Sequence, residues 1–95
     1  MPQTPPSMAR PDTLLTYPAP FPIKVMGAKS DAFVAAVAEL AQRFDPSFDA
    51  SRMALRDSRT GKYLGITLTI TATSRNQLDD LYRALTSHPL VQIVL

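Results

Sequence analysis

From Phe21 to Leu95 the apolar residues change period in a fixed order: two, helical, two, two, helical, two. Strand, helix, strand, strand, helix, strand is the order of a ferredoxin-like βαββαβ sandwich, an α+β fold in which two helices cover one face of a four-stranded antiparallel sheet. Ninety-five residues are enough for one such domain. A domain of this size buries only about 60–65% of its unfolded surface, so a sizeable cofactor site and a core cannot both be accommodated.

The individual elements can be read in turn. Phe21, Ile23 and Val25 alternate with Pro22, Lys24 and Met26, which predicts a first strand with its odd positions inward. Ser30 is placed to cap a helix, Asp31 complements its dipole, and Phe33, Val34, Val37, Leu40, Ala41 and Phe44 form one apolar stripe ended by Asp45-Pro46. Met53 and Leu55 alternate with Arg52, Ala54 and Arg56 in a second strand, and Asp57 to Gly61 supply a hairpin turn. Leu64, Ile66, Leu68, Ile70 and Ala72 face one way in the third strand, with Tyr63, Gly65, Thr67, Thr69 and Thr71 opposite. Ser74 to Gln77 reads as a capping box, Leu78, Leu81, Tyr82 and Leu85 as the buried stripe of a second helix, and His88-Pro89 as its end. Leu90 to Leu95 then form a last strand. Its apolar edge invites pairing with a second copy, so a homodimer is expected.

Seven of the nine prolines lie between Met1 and Pro22. Proline fixes φ and removes a backbone donor, which argues against helix or central strand there. Residues 1–13 therefore read as a disordered proline-rich tail and residues 14–95 as the folded domain, with Leu14, Leu15, Tyr17 and Phe21 apolar enough to lie back on the core.

Several function classes are excluded by composition. The chain has no cysteine, which removes disulfides, thiolate metal sites and cysteine nucleophiles and suits a cytoplasmic location. Its apolar runs fall far short of the roughly 20 residues that span a bilayer, and no secretory leader is expected. A net charge of +2 is too small to imply a polyanionic partner. The one histidine, His88, stands at a helix end with no motif offering a nucleophile or further ligands. Asp79 and Asp80 are neighbours on a helix and point apart, and Asp45 and Asp49 lack a calcium-loop signature. The expectation is a protein that is not an enzyme and uses no metal or cofactor.

Two places can still bind something. The turn after the first strand presents Gly27, Ala28, Lys29 and Ser30 at a helix N-terminus, where N–H groups and the dipole suit a carboxylate or phosphate. A second, basic patch comprises Lys24, Arg52, Arg56, Arg59 and Lys62 on the second strand, the hairpin and the same sheet face. Single-stranded nucleic-acid binding through that face is the alternative reading; it is weakened because only Tyr63 is there to stack a base.

Tyr17-Pro18-Ala19-Pro20-Phe21, Lys24-Val25-Met26-Gly27, Gly61-Lys62-Tyr63 leading into a Thr/Ile strand, Leu81-Tyr82 and Val94-Leu95 together resemble the YbeD-like family of small bacterial proteins. The resemblance covers roughly Leu15 to Leu95. It implies a ferredoxin-like fold similar to ACT regulatory domains, which bind amino acids or other small effectors and usually associate in pairs; the family is loosely labelled as lipoate-related. On that footing the expected role is a non-enzymatic regulatory, ligand-sensing or protein-interaction module. Its partners are a second copy, an acidic effector such as an amino acid or lipoate-like molecule, or another protein. The effector would lie at Met26 to Ser30. A purely structural dimeric adaptor without a ligand is the third reading.

Overall fold

The structure is a computed structural model that describes residues 16–95. The tail expected over residues 1–13, with Leu14 and Leu15, lies outside the described residues. Four strands, β1 (Ala19–Ala28), β2 (Met53–Asp57), β3 (Tyr63–Ala72) and β4 (Ile93–Val94), form one antiparallel sheet in the order β2-β3-β1-β4. Helices α1 (Asp31–Phe44) and α2 (Arg75–Ser87) complete the ferredoxin-like sandwich. A short 3₁₀ turn (Ala50–Arg52) leads into β2.

The helix side of the sheet is the core. Ile23, Val25, Leu64, Ile66, Leu68 and Ile70 are buried from the strands, Phe33, Val37, Leu40 and Ala41 from α1, and Leu78, Leu81 and Leu85 from α2. Alternation along β3 is complete: every even residue from Leu64 to Ala72 is buried, and no odd one is. A one-residue slip would turn that set to solvent, so burial fixes the register. Ser30 Oγ accepts the Phe33 N–H at the start of α1, and Ser74 Oγ accepts the Gln77 N–H at the start of α2, both at 3.0 Å. Gly61 takes the positive φ of 76° that the hairpin requires.

The proline stretch corrects one expectation. β1 lies between β3 and β4 and extends back through Pro22 and Pro20 to Ala19. Backbone direction explains why this is tolerated. The Leu95 N–H donates to the Lys24 carbonyl at 2.7 Å and the Gln92 N–H to the Met26 carbonyl at 2.8 Å, so even positions of β1 turn their backbone groups toward β4. Pro20 and Pro22 share that parity, and β4 pairs only with Val25 and Met26. Their nitrogens therefore face an edge that no described strand pairs with, and no ladder bond among the described residues is lost.

The last strand is shorter than its apolar run suggested, Ile93–Val94 instead of 90–95, because a turn follows α2: the Val91 N–H donates to the His88 carbonyl at 3.1 Å. Val91 and Val94 pack against the core, while Ile93 and Leu95 are 48% and 67% exposed.

Two polar side chains tie the layers together. Asp45, the residue that caps the end of α1, is 4% exposed; it accepts the Thr71 N–H at 2.8 Å and the Ser47 hydroxyl at 2.6 Å. Gln77 makes half of the expected capping box, since its Oε1 accepts from Thr73 N–H, not from Ser74. Its Nε2 donates to the carbonyls of Phe44 and Thr71 at 2.9 and 3.0 Å, joining α2 to α1 and to β3.

Candidate functional site

The turn between β1 and α1 is largely engaged with its own chain. A Cβ on Gly27 would collide with the Leu90 carbonyl and the Phe33 ring, so glycine is needed there for close packing. The Lys29 N–H donates to the Lys62 carbonyl at 3.0 Å, and its ammonium pairs with Asp57 at 3.1 Å. The Ser30 hydroxyl is the α1 cap, and Ala28 is exposed opposite Tyr63. Beside this turn runs a groove of about 670 Å³ lined by Lys29, Ser30, Asp31, Val34, Leu55, Asp57 and Leu64. Asp57 neutralises Lys29 there, and the remaining Asp31 carboxylate leaves the lining with a net negative charge that disfavours an anion.

The five residues of the basic patch separate into three places. Arg52 leans on the buried Asp45 at 3.6 Å and donates to the Thr71 hydroxyl at 3.2 Å. Burial raises the Asp45 pKa, but the Ser47 and Thr71 hydrogen bonds, aided by Arg52, outweigh it and hold the carboxyl below its ordinary value. Arg59 and Lys62 sit exposed at the β2–β3 hairpin. Lys24 and Arg56 share the sheet face opposite the two helices.

That open face is built from the outward positions of all four strands. Register places Arg56, Gly65, Met26 and Ile93 in one row across the sheet, and Ala54, Thr67, Lys24 and Leu95 in the next. A depression of about 540 Å³ lies over the β1, β3 and β2 part of these rows, lined by Lys24, Met26, Ala54, Leu55, Arg56, Asp57, Ser58, Gly65 and Thr67, with the Asp57 carboxylate paired to Lys29. Neither the Lys24 nor the Arg56 side chain has an ion pair or hydrogen bond among the described residues. Met26 is half-buried, and Tyr63, Ile93 and Leu95 add exposed apolar surface at the margins.

Two further polar side chains serve the fold. His88 Nδ1 accepts the Leu90 N–H at 3.1 Å, and the Asp49 carboxylate caps the 3₁₀ turn by accepting from Ser51. Among the described residues no group of three or more histidine or acidic side chains is placed to hold a metal ion, and no helix is long and apolar enough to cross a membrane. Sequence reasoning passed over Gly65. The available signal was a glycine at an outward position within a strand otherwise rich in β-branched residues.

Residues 12–95 match the family described as "Protein of unknown function (DUF493)". The chain belongs to this family. DUF493 relatives include a UPF0250 protein of Ralstonia nicotianae, 52% identical over 94 residues and covering 99% of this chain and 93% of the relative. A UPF0250 protein of Leptothrix cholodnii is 55% identical over 86 residues, covering 90% of this chain and 94% of its own. The YbeD-like resemblance is thus a DUF493 membership spanning nearly the full chain. In fold, the DUF493 chain is similar to the solution structure of protein HP0495 from H. pylori, with a TM-score of 0.69 at 14% identity, covering 100% of this chain and 98% of that one.

Proposed function

We propose that this DUF493 protein is a non-enzymatic interaction module whose working surface is the open face of its sheet, on which it contacts another protein in a regulatory role. The observation that carries the reading is the pairing of two cations without a partner among the described residues, Lys24 and Arg56, with exposed apolar side chains on the sheet face opposite the two helices. Exposed apolar side chains beside unpaired cations are a common character of a protein-contact patch. Support also comes from the β1–α1 turn, where Lys29 and Ser30 already serve the fold. Packing two copies open face to open face would bring two faces of the same unpaired positive charge together, which favours a different protein as the occupant.

The reading is tested by NMR of the isotope-labelled chain in a concentrated extract of its host. Selective broadening at Met26, Gly65 and Thr67, with α1 surface residues such as Glu39 unaffected, is the expected result. Broadening confined to the helix side would refute it.

A further inference from the structure

Gly65 is the third residue of β3, on the open face, and nothing in the backbone requires a glycine there. Its φ is not positive, and an added Cβ would meet only the Arg56 carbonyl, at an ordinary 3.7 Å. Gly27 differs, since a side chain there has no room. A glycine inside a strand weakens it and often marks a site that another molecule approaches closely. Here its effect is to lower the floor of the depression between Met26 and Arg56, its neighbours across the sheet.

The two cations flank that notch on a diagonal. Lys24 lies on β1 and Arg56 on β2, separated by the width of β3 and shifted by two residues in register. Strand spacing and rise put their Cα atoms about 12 Å apart, with Gly65 and Thr67 on either side of the midpoint. On an α-helix, positions one and eight of an octet are about 10.5 Å apart and share a face with positions four and five.

We propose that the open face docks an amphipathic helix of a partner protein that carries acidic residues seven apart and a large apolar residue between them. The apolar side chain fills the Gly65 notch against Met26 and Ala54, and the acids pair with Lys24 and Arg56. This rests on the open face being the working surface and adds the chemistry of its occupant. A shallow face four strands wide, about 14 Å across, suits a helix better than a small acid, which would leave most of it wet.

The probe is a helical 18-residue peptide with Glu at positions one and eight of a central octet, Leu at four and five, and a twin with Lys in place of Glu. Each is titrated into the labelled full-length chain and followed by NMR. The Glu peptide should shift Met26, Gly65 and Thr67 saturably. Gly65→Leu should weaken it at least tenfold, and the double change Lys24→Glu, Arg56→Glu should reverse the preference to the Lys peptide. The dispersed amide spectrum of the core reports whether each variant is folded, and the charge reversal decides the matter if Gly65→Leu is not. Equal binding of both peptides, or no saturable shift up to millimolar peptide, would overturn the proposal. So would hexanoate or a single-stranded RNA shifting the same residues when neither peptide does. If the extract broadens the open face equally in the natural chain and in both variants, the working surface stands and the acidic helix falls.

Discussion

The carboxylate of Asp45, at the end of α1, accepts the backbone N–H of Thr71 at 2.8 Å and so fastens the first helix to the far end of β3. Among the described residues Thr71 N–H has no strand partner on that side, because β2 pairs with β3 only from Leu64 to Leu68. A side chain thereby completes a sheet edge that the backbone leaves open.

Asp45→Ala removes this bond and both bonds from Ser47. The Thr71 N–H is left without its acceptor, at a cost of about 1–3 kcal/mol. For a domain of this size each kcal/mol lowers Tm by about 4–8 °C. Thermal unfolding followed by circular dichroism checks the prediction.

Acid should act through the same group. Its folded pKa is lowered from the ordinary 3.8, so the unfolded chain binds the proton more readily. The stabilisation is fully present above the ordinary carboxylate value and is lost as pH falls through the lower folded value. Natural protein and Asp45→Asn, melted from pH 5 down to pH 2, should therefore converge in Tm as the pH drops. A constant gap between them would show that the carboxylate's charge does not matter.

The two strand glycines should respond oppositely to the same substitution. Gly27→Ala pushes a methyl into the Leu90 carbonyl and the Phe33 ring, an overpacking worth about 1–3 kcal/mol. Gly65→Ala places it in ordinary contact and removes glycine's extra unfolded-state freedom, so stability should hold or rise by up to about 1 kcal/mol. Urea midpoints for the two variants separate these outcomes.

Gln77 is expected to tolerate little. Gln77→Glu keeps an acceptor for Thr73 but has no N–H for the Phe44 and Thr71 carbonyls, and it should unfold at lower temperature than the natural protein by roughly 4–8 °C for each kcal/mol lost. An unchanged Tm would mean that water replaces both bonds.

The fold was legible because β3 and both helices state their periods without ambiguity: Leu64 to Ala72 alternate completely, and Phe33, Val37, Leu40 and Ala41 mark one helical face. Pro20 and Pro22 hid the start of β1, since whether a proline nitrogen faces a partner depends on how far β4 reaches, a non-local fact. The site was less legible for the same reason. Gly27, Lys29 and Ser30 looked like an anion cradle in sequence, yet Lys29 meets Asp57 from across the hairpin and Gly27 meets Leu90 from beyond α2. Lys24 and Arg56 could be grouped on one sheet face from sequence, but Gly65 lies on a third strand, and only the register sets it between them.

The central claim, that the open face is the surface this protein works with, is tested most directly by site-specific photocrosslinking in living host cells. A photoreactive residue at Thr67, in the middle of the open face, should give a light-dependent adduct with another protein that Arg56→Glu diminishes; the same residue at Glu39, on the outer side of α1, should give none. Adducts from Glu39 with none from Thr67 would place the working surface on the helices and contradict the account.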